Sequence, residues 1–251
     1  MSIWLILLIA SGIVPLARAI WANRRTTLLH ALAWGVVAWA AWLWLAITGT
    51  STAGYFASSL TACAGVAVLG ARRPGVGAWN MVVAGLLATL LIPLGQEFLT
   101  GNSWLSGQLW YLFRAAVLIV TIMNYAASRA MLGAFALSVA CVFESIAKGD
   151  YAYYFNFAVF LAGMSLWLAW VPPFWRDRSS NQCDRIWHGF QDRFGAIWAL
   201  RMKEQFNLAA KNGDIPIVLT LDGLIGISPD EDDRVAAHEI LVALMKRFGL
   251  P

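Results

Sequence analysis

Apolar runs of helical length recur seven times in the first 175 residues. They fall at residues 3–22, 28–47, 54–70, 76–94, 108–127, 130–147 and 154–174. A helix crossing a bilayer needs about 20 predominantly apolar residues, so each run predicts one span. Pro15 predicts a kink in the first, because proline removes an amide donor from the helix ladder. Pro172-Pro173 predicts the end of the seventh for the same reason.

The pattern then changes. Trp187, Phe190, Phe194, Ile197, Trp198 and Phe206 recur at helical spacing among polar residues. This predicts an amphipathic helix over 184–211, with Asn212-Gly213 as its stop. Residues 215–221 and 224–227 read as strands around an Asp222-Gly223 hairpin turn. Ser228-Pro229-Asp230-Glu231 has the form of a helix start. Ala237, Ile240, Leu241, Leu244 and Phe248 form one apolar stripe on the helix that follows.

The predicted fold is an all-α polytopic membrane bundle of seven transmembrane helices over 1–175. A small cytoplasmic α+β module, helix–hairpin–helix, occupies 176–251. Two strands give such a module a thin core. It is expected to lean on the membrane, on the other helices or on a partner.

Composition sharpens this. Of 251 residues, 60% are hydrophobic and 13% charged, whereas soluble domains carry about 25% charged residues. Residues 1–175 hold eight Lys/Arg against three Asp/Glu, and residues 176–251 hold ten against eleven. The basic surplus therefore belongs to the bundle and reports topology. The near-neutral tail has no nucleic-acid footprint. Arg18, Arg24 and Arg25 lie at the first connection, Arg72 and Arg73 at the third, Arg129 at the fifth, and Arg176 and Arg178 after the seventh run. The second connection has no Lys or Arg, the fourth has only Glu97, and the sixth has Lys148 beside Asp150. Positive residues stay cytoplasmic, so the N-terminus is predicted outside and the tail in the cytoplasm. Helical spans point to the inner membrane, since outer-membrane proteins span with strands. Tryptophans near the ends of the runs, such as Trp21, Trp44, Trp79 and Trp170, suit the membrane interface. The first run has small-x-small at Ala17-Arg18-Ala19 but no preceding positive region, so it reads as a retained helix.

Candidate chemistry is sparse. Arg114 lies fifteen residues before Arg129 and Glu144 fifteen after it. In an antiparallel hairpin turning at Arg129 the two charges share a depth. An unpaired charge there costs about 3 kcal/mol or more, so they are expected to meet. Gln96, Glu97, Asn156, Tyr151, Tyr153 and Tyr154 fall at the same end. Glu97, Arg114, Glu144 and Asn156 are thus a candidate ligand or ion-pair site open to the outside. The competing reading is a structural ion pair locking two helices. Asn80 and Asn124 read as polar glue between helices.

Trp187, Phe190, Phe194, Trp198 and Phe206 are candidates for docking a protein partner or the membrane surface. Packing on the hairpin and last helix competes with that. His30, His188 and His238 lack the spacing of haem or metal ligands. His238-Glu239 is followed by Val242 where a zinc motif needs histidine. Cys63, Cys141 and Cys183 have no paired spacing and read as small buried hydrophobes. Asp230, Glu231, Asp232 and Asp233 sit at a helix start, where acids are favoured without calcium. No lysine in the seventh run offers a retinal Schiff base. Walker, GxSxG and dinucleotide motifs do not appear. The expectation is a non-enzymatic accessory or scaffold subunit with no cofactor and no metal, in contact with the lipid bilayer and with a protein partner at its tail. A receptor or transporter using Glu97, Arg114 and Glu144 is the alternative.

Overall fold

The computed structural model describes residues 2–71, 76–101, 108–126, 128–146, 152–170, 182–226 and 231–250. Arg72, Arg73, Lys148, Asp150, Tyr151, the Pro172-Pro173 pair, Arg176, Arg178 and the Ser228-Pro229-Asp230 helix start lie outside them. The elements in chain order are α1 (Ile3–Ser11), α2 (Ile13–Asn23), α3 (Leu29–Thr48), α4 (Ser51–Ala67), α5 (Val76–Leu90), α6 (Ile92–Thr100), α7 (Gln108–Tyr125), α8 (Met131–Ile146), α9 (Ala152–Leu168), α10 (Gln182–Asn212), β1 (Ile217–Leu219), β2 (Leu224–Gly226) and α11 (Glu231–Met245).

Four stretches are long and apolar enough to cross a membrane: Ile3–Asn23, Leu29–Thr48, Ser51–Gly70 and Gly77–Thr100. Three shorter apolar helices follow, at Trp110–Tyr125, Met131–Ile146 and Tyr153–Leu168. The chain is a helical membrane protein.

Proline places two breaks. The first apolar run is interrupted at Gly12, three residues before Pro15, whose missing amide leaves the Ser11 carbonyl without its helical donor. The Ile9 carbonyl there accepts the Gly12 amide at 2.9 Å and the Trp39 indole N–H at 2.9 Å. Pro93, in the first turn of α6, marks the second break, at Leu91. The apolar run predicted to stop at residue 94 continues as helix to Thr100, so Glu97 sits on α6 rather than in a loop.

α4 is the centre of the bundle. It packs against α3, α5, α7 and α8, and nearly every residue from Ala53 to Cys63 is buried. Gly54, Ala57, Ser58 and Ala62 let the neighbouring backbones approach, the usual device where lipid supplies no hydrophobic drive between helices. Gly49, left-handed at φ 66°, ends α3, and the Thr50 hydroxyl caps α4. That makes the second connection a tight hairpin turn.

The first, third and fifth connections gather at one end, and the tail is seated on all three. Thr27 Oγ1 lies against the carbonyls of Ala71 and Phe248. The Trp198 indole donates to the Val68 carbonyl at 3.1 Å, and the Arg129 amide donates to Asp192 Oδ1 at 2.9 Å. Within the tail, β1 and β2 pair antiparallel with Val218 opposite Ile225. The first strand is shorter than the predicted 215–221, because Thr220 already belongs to the turn, its amide donating to the Gly223 carbonyl at 2.8 Å; residue 227, the predicted end of the second, lies outside the described residues. The Asn207 side chain, rather than a further strand, pairs with both backbone groups of Leu219.

Candidate functional site

The structure brings Arg114 of α7 and Glu144 of α8 together. Arg114 Nη1 lies 3.6 Å from Glu144 Oε2, with both side chains at least nine-tenths buried. α4 completes the setting. Arg114 Nη1 donates to Ser58 Oγ at 2.6 Å, and Nη2 donates to Ser145 Oγ at 2.8 Å. Each serine passes its own proton to its helix: Ser58 to the Tyr55 carbonyl, Ser145 to the Cys141 carbonyl. The guanidinium lies 4.4 Å from the Tyr55 ring centroid and 5.3 Å from that of Tyr111. These are cation–π distances. Tyr55 is fixed in turn by donating to the Leu90 carbonyl at 2.7 Å, beside the α5–α6 bend. Glu144 rests against Gly54, where a Cβ would stand 2.7 Å from Oε1. One charge, its counter-charge, two hydroxyls and two rings thus share a buried junction of α4, α7 and α8. In low dielectric such a pair is held only by good geometry and by satisfied remaining donors.

Among the described residues, Glu97 and Asn156 do not join this pair. Glu97 is absent from the described partners of Arg114, and one of its oxygens, Oε2, is buried with no hydrogen-bond partner. Asn156 is exposed on α9. Tyr153 is also exposed and stacks on Phe157. The reason is rotational: helical periodicity fixes which residues share a face, but not which neighbour that face meets. The cavity actually beside Arg114 holds about 420 Å³. It is bounded by Tyr111, Ala115 and Leu118 on one side and Cys141, Val142 and Ser145 on the other. Its described lining comes from α7 and α8, with Ser58 of α4.

The tail candidates also take a definite place. Trp187, Phe190 and Phe194 are fully buried, as is Phe206, and Trp198 nearly so. Phe190, Phe194 and Trp198 converge on Phe248, with ring centroids 4.9, 4.9 and 5.2 Å away. This face is covered by α11 and by the ends of the bundle, so it is not an open docking surface. The two other candidate occupants, lipid and a partner, are displaced by the chain itself. α10 is kinked at Gly195, with φ 78° and ψ −177°. Asn124 of α7 fills the gap: its Oδ1 accepts the Ile197 amide at 3.1 Å and so caps the second half of α10. Asn124 therefore joins bundle to tail, whereas Asn80 is held between α3 side chains, Trp34 and His30.

Ser58, Ser145, Tyr55 and Gly54 were not legible as partners of Arg114. The spacing of Gly54 and Ser58, four apart on one face of a small-residue helix, was the available signal. All three cysteines are buried, and they form no disulfide with one another. In the tail, burial and then the neighbouring Asp184 carboxylate push the Cys183 thiol up, away from the reactive thiolate. Compared with protein-family models, with curated proteins and with solved structures, the chain gives no match.

Proposed function

We propose that the chain is a seven-span, non-enzymatic accessory or scaffold protein of the inner membrane, with its N-terminus outside and its tail in the cytoplasm. The observation that carries this is the set of contacts that tie Arg114 to three helices. Both guanidinium nitrogens that donate are answered by serines, the carboxylate rests on Gly54, and Tyr55 underlies the cation. A group tied to α4, α7 and α8 at once serves position rather than turnover. Topology is supported by the first, third and fifth connections meeting one another and the tail at one end. The tail, locked to the bundle, presents the Val218–Ile225 cross-strand pair outward, at 52% and 62% exposure. That pair is the face a protein partner would meet. The experiment is affinity purification of the full chain from native membranes, with and without Ile225→Glu, beside labelling of cysteines placed in each connection. A stable larger complex lost with Ile225→Glu, and labelling of even connections from outside only, supports the reading. A monodisperse monomer in both cases refutes it.

A receptor or transporter is the second reading, favoured by the lateral cavity at Arg114. It requires a small polar ligand whose stabilisation of the protein disappears with Arg114→Ala.

A further inference from the structure

At the opposite end from Arg114 the bundle does not close. A cavity of about 1310 Å³ lies beneath the first half of α10, walled by α1, α2, α3, α4, α8 and α9. Its membrane wall is built from small residues such as Gly35, Ala38, Ala64, Gly133 and Ala134, with Trp39 and Trp42 and, deeper, Ile9. From Asn23 to Ile9 is fourteen residues, about 20 Å at helical rise. This exceeds half of a hydrocarbon core about 30 Å thick. The space is therefore deep and lined mostly by apolar side chains, and the hydroxyls of Thr61, Thr121 and Ser165 along it donate to carbonyls of their own helices.

Its mouth has the opposite chemistry. Arg129, Arg185, His188, Asp192 and Arg193 line it. Asp192 is engaged with Arg129, whose Nε is 3.1 Å from Oδ2. Among the described residues neither Arg185 nor Arg193 has an ion-pair partner. Two positive charges are thus left over at the polar end of an apolar cavity.

We propose that this cavity binds one anionic phospholipid. The acyl chains occupy the small-residue walls down to Trp39. The phosphate meets Arg185 and Arg193 at the mouth. The same arrangement disfavours a choline headgroup, which would bring a fixed cation to two arginines. It also disfavours a free phosphate ester, which leaves the apolar body unfilled.

The test is lipid retention by the full chain in neutral detergent, read by native mass spectrometry with phosphatidylglycerol, phosphatidylcholine or glycerol phosphate added. One phosphatidylglycerol is expected, held about tenfold or more tighter than phosphatidylcholine, the effect of one charge-assisted contact. Glycerol phosphate alone is not retained. Gly35→Phe fills the cavity, since a Cβ at Gly35 meets nothing within 4 Å, and abolishes retention. Gly189→Leu, at the mouth and equally open, is the second blocking variant should the first not fold. Arg185→Ala with Arg193→Ala removes the preference for phosphatidylglycerol. Equal retention of both lipids, retention of glycerol phosphate alone, no retained lipid, or undiminished binding in a folded blocked variant each overturns the proposal.

Discussion

The two ends of the bundle use the same small residues to opposite ends. Around Arg114, Gly54 is small because Glu144 lies against it, and Ser58 because a guanidinium does. Every gap left by a missing side chain is taken by a polar group that must not be left bare. Beneath α10, Gly35 is equally small, and nothing occupies the space in front of it. A small residue on a membrane helix therefore marks either a close approach or a void. What decides is whether the facing helix brings a long side chain at that depth. The charged junction is tight because an exposed charge in lipid is expensive. The other end can stay open because its charges sit at its mouth.

The largest way to break this contrast is to remove one charge from the tight end. Arg114→Ala leaves Glu144 buried beside two serines and is expected to cost about 3–5 kcal/mol. Thermal unfolding in detergent reads it. The double variant Arg114→Met with Glu144→Leu is expected to recover most of that loss, because apolar side chains of similar volume replace a buried pair well. Both serines also keep the backbone acceptors they already have. A double variant no better than the single one would show that the pair does more than hold two helices.

Next in size is the joint between bundle and tail. Gly195 has a backbone conformation open almost only to glycine, and a Cβ there would press into Asn124, 2.5 Å from its carbonyl oxygen. Gly195→Ala is expected to cost about 1–3 kcal/mol. It should also raise hydrogen exchange over Ile197 and its neighbours, because the Asn124 cap is displaced. Asn124→Leu should give the exchange change with less loss of stability, since it leaves the backbone unstrained.

Much of this was legible beforehand, and the limits are physical. Equal spacing of Arg114 and Glu144 about Arg129 puts two charges at one depth, and the need to pair them in lipid does the rest. The amphipathic face of α10 was equally plain, as were the Asp222-Gly223 turn and the last helix. What covers the α10 face was not. Burial of Trp187 and Phe190 depends on where the connections of distant helices end, and a single strip of sequence carries no such information. Glu97 and Asn156 show the same limit: shared depth is readable from distance along the chain, shared azimuth is not. The kink at Gly195 was hidden because apolar spacing continues across it almost unchanged.

A smaller test isolates the tail's grip. Trp198→Phe keeps a ring against Phe248 but loses the indole donation to the Val68 carbonyl. About 1 kcal/mol is expected, read as a lower midpoint for unfolding of α10 by hydrogen exchange with the bundle unaffected. A loss shared by all helices would mean that bundle and tail unfold as one unit.

The last test is the most telling, because it concerns one substitution made at two glycines. At Gly133 a Cβ would stand 2.5 Å from the Ser165 backbone carbonyl, which cannot rotate away. Gly133→Ala therefore forces α8 from α9, and overpacking of this kind costs about 1–3 kcal/mol. At Gly35 the added methyl enters open space, and removing glycine from a helix interior gains about 0.5–1 kcal/mol. Gly35→Ala should thus raise the unfolding temperature slightly where Gly133→Ala lowers it. Both residues line the same cavity, so opposite signs would place its rigid wall at α8–α9 and its free volume in front of α3. If the two variants shifted stability alike, the void in front of Gly35 would be filled in solution by side chains of this protein, and no ligand would be needed to occupy it.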